Sequence, residues 1–240
     1  MKRTDFTLKP SLIAMLAAAT LLTACGDDND DDTVVVTPPA PVMQTFTVTV
    51  TNLTANQPMS PAILASHASD AMLWNAGEMA SEALEKMAEG GDTADIAALS
   101  VINSSVNGTG LLMPGMSETL TLTLDEADVA SISLATMLVN TNDAFTGINS
   151  YTIAGMEVDA TTAMKFMAYD AGTEANSEAK GTMPGPADGG EGFNASRDDV
   201  DFVHIHPGVI SMYDGLADSV LGASHRFDNP VLAVTIMRTE

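Results

Sequence analysis

The sequence predicts a mainly β, antiparallel sandwich with one or two short helical excursions, and three observations carry that reading. β-Branched and apolar residues alternate with period two at 45–51, at Leu120, Leu122 and Leu124, and again toward the end of the chain. Clusters of Asn, Asp, Gly and Pro separate these runs and supply the turns between short strands. Strands do not alternate regularly with helices, so a parallel sheet built from crossover units is not indicated.

In chain order, Phe46, Val48 and Val50 alternate with Thr45, Thr47, Thr49 and Thr51, the pattern of a half-buried strand closed by turn residues at 52–61. Ile63 to His67 and Met72-Leu73-Trp74 are short apolar runs that fit either strand or coil. From Met79 to Glu89 the spacing changes: Met79, Ala83, Leu84, Met87 and Ala88 recur at helical intervals, and Gly90-Gly91 stops the helix. Ser81 and Glu85 are four apart rather than three, which leaves the helix start undefined. Ile96, Leu99 and Ile102 point to a second short helix within 92–102. After Gly108-Thr109-Gly110 comes the strand of Leu120 to Leu124, then a nearly continuous apolar run, Ile132 to Val139, expected at the centre of a sheet. Thr162 to Tyr169 is a further strand. Residues 170–197 are polar, with Gly and Pro and no apolar period. Val200 to Ile205 is short and apolar, 209–221 has room for a helical turn, and Val231 to Met237 is apolar on both faces and is expected to be buried on both.

The ends of the chain carry a different signal. Lys2, Arg3 and Lys9 precede a short apolar segment, Leu12 to Leu22, and Leu22-Thr23-Ala24-Cys25 follows. Residues 1–24 therefore read as a lipoprotein signal peptide, the apolar segment being shorter than the roughly 20 residues of a membrane span. Cys25, the only cysteine, becomes the lipid-modified first residue of the mature chain and anchors it to the membrane. Gly26 next to it favours the outer membrane. Residues 25–43, acidic and then Pro-containing, have the composition of an extended tether, and residues 44–240 form the folded domain.

Removing Lys2, Arg3, Lys9 and Asp5 with the leader leaves six basic against 31 acidic residues, a net charge of −25. Such a surface repels phosphate backbones and excludes nucleic acid as a partner. No Gly-x-Ser-x-Gly elbow, no His-Glu-x-x-His and no phosphate-binding glycine loop is present, which argues against an enzyme.

One stretch concentrates candidate chemistry. Asp170, Glu174 and Asn176 follow an apolar run at even spacing, with Gly172 supplying a bend, and calcium takes six to eight such oxygens. Asp143, in Asn142-Asp143-Ala144-Phe145-Thr146-Gly147, is the best sequence-distant partner, provided the two loops share one end of the sandwich. The plainer alternative is a pair of solvated turns. His204-Ile205-His206 puts two imidazoles on one side of a strand, and with His225 or His67 they would make a transition-metal site; a polar, hydrogen-bonded role is the competing reading.

These residues accumulate into a family likeness. Ser60-Pro61-Ala62 to His67, Gly77-Glu78-Met79-Ala80-Ser81-Glu82, Asn142 to Gly147, Ala168-Tyr169-Asp170-Ala171-Gly172-Thr173-Glu174, His206-Pro207-Gly208 and His225 to Val231 resemble, in order, the spondin N-terminal domain in its bacterial form. The resemblance implies an eight-stranded antiparallel C2-like β-sandwich, known in animals from extracellular matrix proteins of cell adhesion, with a calcium ion held by loops at one end. Its metal carboxylates map onto Asp143, Asp170 and Glu174, the last being aspartate in the animal proteins and so one methylene longer here. The expected role is thus a lipid-anchored, extracytoplasmic calcium-binding recognition or adhesion domain with a protein or glycan ligand. A His-based metalloenzyme of the envelope and a purely structural envelope domain are the alternatives.

Overall fold

The computed structural model describes residues 40–240, so the leader, most of the tether and Cys25 lie outside the described residues. Two antiparallel sheets face each other. The first has four strands: β1 (Met43–Asn52), β4 (Ser117–Asp125), β7 (Thr161–Phe166) and β10 (Leu232–Arg238), in the order β4-β1-β10-β7. The second has six, in the order β3-β2-β5-β6-β8-β9: β2 (Ile63–His67), β3 (Ile102–Asn107), β5 (Ser131–Met137), β6 (Ala144–Thr152), β8 (Ala168–Asp170) and β9 (His204–Ile205). Eight of the ten strands have five or more residues, and β8 and β9 are the short extensions that carry the site described below.

The period-two pattern of β1 does what it predicts. Phe46, Val48 and Val50 are buried between the sheets with Leu120, Leu122 and Leu124 of β4 and with Leu134, Ile148, Val234 and Ile236. On the opposite, solvent-facing side the threonines pair across the strands, Thr49 with Thr119 at 2.8 Å and Thr51 with Ser117 at 2.7 Å. β10 departs from the double burial expected of it: Leu232, Val234 and Ile236 are buried, whereas Ala233, Thr235 and Met237 are only half-covered. The helices pack on the other sheet instead.

That second sheet is covered on its outer face. Helix α1 (Glu82–Gly90) lays Ala83, Leu84, Met87 and Ala88 against Ile63, Ala135, Met137 and Phe145, so β5 is buried along its whole length. The helix starts at Glu82 and not at Met79, because the Ser81 hydroxyl accepts the Leu84 N–H and caps it. Gly91, at φ +70°, ends it with its N–H on the Met87 carbonyl. The second helix is a single turn, α2 (Ala94–Ala97), and Ile102 begins β3 instead of ending that helix.

Three strands lie where a turn cluster and one continuous strand were expected. β6 occupies Ala144–Thr152 despite its Gly, Asn and Ser content, and the expected strand from Thr162 to Tyr169 is two strands. β7 closes the four-stranded sheet; the chain then crosses at Met167 and β8 joins the six-stranded one. Met72-Leu73-Trp74 is coil, held by Asn149, whose side chain binds the Leu73 N–H at 2.9 Å and the Trp74 carbonyl at 2.5 Å. The 170–197 stretch has little regular structure and is tied by side chains. Asp188 accepts the N–H groups of Gly181 and Met183. Buried Glu178 accepts those of Ile210 and Ser211 and the Ser219 hydroxyl.

Gly147 marks the closest approach in the β5–β6 ladder, where a Cβ would stand 1.8 Å from the Leu134 carbonyl oxygen. Gly147→Ala is expected to cost at least about 3 kcal/mol, roughly 6–12 °C of Tm. Gly110→Ala, with nothing within 4 Å of the added methyl, is expected to leave Tm nearly unchanged; thermal melts of the two variants check this.

Candidate metal centre

The site is built by strand register. β6 and β8 pair with Ala144 opposite Asp170, so Asp143, just before β6, and Asp170, the last residue of β8, come to the same end of the sheet. Behind them Phe145 stacks on Tyr169 at 5.5 Å, and Trp74 meets both rings edge-on at 5.1 and 5.8 Å. This aromatic cluster fixes the backbone from which both acids project. Thr141 shapes the approach to Asp143, donating to the Leu138 carbonyl at 2.6 Å and accepting the Ala144 N–H at 3.1 Å. Beyond Asp170 the chain turns at Gly172, φ +71°, where a Cβ would lie 2.3 Å from the Phe202 carbonyl oxygen.

That turn aims backbone donors at the acids. The N–H groups of Thr173 and Glu174 reach Asp143 Oδ2 at 2.8 and 3.1 Å, and the Thr173 hydroxyl reaches it at 3.2 Å. Gly172 N–H donates to Asp170 Oδ1 at 2.8 Å, and Asn176 Nδ2 donates to Asp170 Oδ2 at 2.6 Å. Asp143 Oδ1 is buried and has no hydrogen-bond partner. Burial, and next the charge of Asp170, push the Asp143 carboxyl up to about 8 despite its backbone donors. Half-buried Glu174 is likewise pushed up to about 8, by burial first and then by Glu89 and Asp143. Glu89, a fully buried residue of α1 with one oxygen lacking a partner, is also raised by burial. The nearby cation Arg197 is committed to Glu85 and Asp201.

The histidines divide by the state of their ring nitrogens. His206, buried, accepts the Gly208 N–H on Nδ1 at 2.9 Å, so its Nε2–H donates to Asn176 Oδ1, also at 2.9 Å. Burial pushes its pKa down to about 4, so it is neutral and orients Asn176 toward Asp170. His67 uses both nitrogens, on the Ala68 carbonyl and the Ser133 hydroxyl, each at 2.8 Å. His225 Nδ1 accepts the Gly222 N–H within its own turn. A centre made of His204, His206 and His225 is therefore not formed. Only His204 turns a ring nitrogen, Nε2, to carboxylates alone: Asp170 Oδ1 at 3.4 Å and Asp199 Oδ2 at 3.9 Å.

The structure thus gathers Asp143, Asp170 and Glu174 into one acidic end. Among the described residues, the His, Asp and Glu ligand atoms that all lie within 4.8 Å of one another belong to Asp170, Asp199 and His204. Asp143 and Glu174 stand outside that tighter group; Asp143 Oδ2 is turned toward the backbone amides. The donor set fits a cation on two counts: a buried carboxylate oxygen lacks a donor, and burial, reinforced by neighbouring acids, raises the Asp143 and Glu174 carboxyls. Glu89 and Asp199 carry no sequence signal of their own, whereas His206 takes the polar, hydrogen-bonded role that competes with a metal role for the histidines. Glu89 sits in an ordinary amphipathic helix, and Asp199 in a polar stretch without pattern.

The Spondin_N family model matches residues 49–183, more than half of the chain. The chain belongs to the spondin N-terminal domain family. Its two-sheet sandwich agrees with that membership, and spondin-type domains are extracellular recognition modules and not an enzyme family. Asp143, Asp170 and Glu174 fall within the matched part of the spondin domain, while Asp199 and His204 lie beyond it. No curated protein matches the chain.

The raised carboxyls set a pH dependence for the metal-free spondin domain. Folded Asp143 keeps its proton to about pH 8, whereas an unfolded aspartate releases it near 4. Between those values the folded state binds more protons, so stability falls as pH rises. In chelator, Tm is expected to drop from pH 5 to pH 8.5, and Asp143→Asn is expected to flatten the slope; melting curves across that range are the check.

Proposed function

We propose that this protein is a lipid-anchored, extracytoplasmic recognition or adhesion domain that holds calcium through Asp143, Asp170 and Glu174. One observation carries the calcium reading: the partnerless, buried Oδ1 of Asp143 beside a second fully buried acid, Asp170. Carboxylate oxygens backed by amides, with no soft ligand among them, suit a hard dication. Glu174, one methylene longer than the aspartate of the animal domains, reaches toward the same end from the turn after β8. The metal supplies positive charge there and no reaction: it lets neighbouring acids ionise together and ties the Asp143 turn to the Asp170 turn.

The lipid anchor at Cys25 and placement in the outer membrane rest on the leader sequence, and the acidic tether then holds the domain away from the lipid surface. The ligand in this reading is an extracellular protein or glycan. The strong acidity of the chain disfavours anionic partners.

Calcium at a hundredfold excess over its Kd is expected to stabilise the fold by about 2.7 kcal/mol, raising Tm by roughly 5–10 °C. Asp143→Asn removes the charge at nearly constant shape and is expected to abolish most of that increase; an equal calcium shift in the variant would overturn the calcium reading. Cys25→Ser is expected to move the protein from the membrane to the soluble envelope fraction, as read by detergent partitioning.

A further inference from the structure

We propose that Asp170, Asp199 and His204 form a second metal site, selective for a first-row transition-metal dication of the zinc type. It goes beyond the calcium reading and shares only Asp170 with it.

The argument begins with the imidazole. Its Nδ1 lies 3.1 Å from the carbonyl oxygen of Ile205 and donates its hydrogen there, which leaves the Nε2 lone pair directed away from the strand. Phe202 packs edge-on against the ring at 5.6 Å and fixes its plane. In front of Nε2 stand two carboxylate oxygens, Asp170 Oδ1 at 3.4 Å and Asp199 Oδ2 at 3.9 Å. A bare lone pair facing two anionic oxygens is repulsive until something positive lies between them.

Metal spacing fits the gap. Ligand bonds of about 2.1 Å in a tetrahedron put ligand atoms about 3.4 Å apart, the separation of Nε2 from Asp170 Oδ1. All three ligand atoms lie within 4.8 Å of one another. Asp170 is anchored by Gly172 N–H and by Asn176, which His206 in turn orients, so the carboxylate is held in place before any metal arrives. Two carboxylates and a neutral imidazole match the charge of a dication, and the nitrogen ligand favours zinc-type ions over calcium. The His204 and Asp199 side chains keep 28% and 22% of their surface exposed, leaving a path for the ion and a fourth position for water.

The alternative occupant is a proton on Nε2, making a metal-free ion pair, and the experiment separates the two. The protein, saturated with calcium, is titrated with zinc by calorimetry and with cobalt(II), read by its visible absorption. One equivalent of zinc is expected to bind, and cobalt is expected to give ligand-field bands that zinc displaces. His204→Ala and Asp199→Asn, both partly exposed, are expected to weaken zinc at least tenfold while leaving the calcium shift of Tm intact. Asp143→Asn is expected to lose the calcium shift and keep zinc, so failure of one site is distinguishable from failure of the other. Zinc affinity unchanged in His204→Ala, or no stoichiometric uptake by the parent protein, overturns the proposal.

Discussion

Two carboxylates with no exposed surface, Asp143 and Asp170, sit side by side where β6 pairs with β8, and the form of this end of the molecule follows from having to accommodate them. Burying one acid is costly, and burying two within each other's field is more so unless protons, donors or a cation compensate. The protein supplies donors through backbone geometry: the Gly172 turn swings the amides of Thr173 and Glu174 onto one acid, while Asn176 closes on the other. Those contacts leave one Asp143 oxygen without a partner, the deficit on which the proposed calcium site rests.

The scaffold keeps the acids from relaxing away from one another. Phe145 and Tyr169 are register partners as well as neighbours of Asp143 and Asp170, and Trp74 is wedged against both rings under the control of Asn149. Helix α1 closes the outer face over this cluster and contributes Glu89 from its buried side. Arg197 ties Glu85 of the same helix to Asp201, joining the helix to the segment that precedes β9. Packing and electrostatics are thus coupled: the elements that bury the aromatics are those that bring acids within reach of each other.

Where burial is one-sided, the sequence reads clearly. β1 and β4 are visible as alternating Thr and apolar residues because one face meets the core and the other meets water, and β5 is visible as an apolar run because α1 covers its second face. β3 is hidden, for Ile102-Asn103-Ser104-Ser105-Val106-Asn107 is a half-exposed edge strand with few apolar positions. β6 is hidden by its turn-forming residues, among them a glycine whose role, clearance for the Leu134 carbonyl, is a tertiary fact. The break between β7 and β8 at Met167 is a change of sheet, which local periodicity cannot express. At the site, Asp143 and Asp170 stand out by their turn chemistry and the family likeness. The division of labour between His204 and His206 depends on which nitrogen meets Gly208 N–H and which meets Ile205 carbonyl, and only the folded chain decides that.

A calcium ion bound as proposed would displace protons held at the acidic end. Calorimetric titration of calcium at pH 7, repeated in buffers of different ionisation enthalpy, measures those protons directly, because Asp143 and Glu174 are pushed up to about 8 in the metal-free fold. Release of about one to two protons per calcium bound is the expected result. Binding heats independent of buffer, with no proton released, would rule out calcium at these protonated acids.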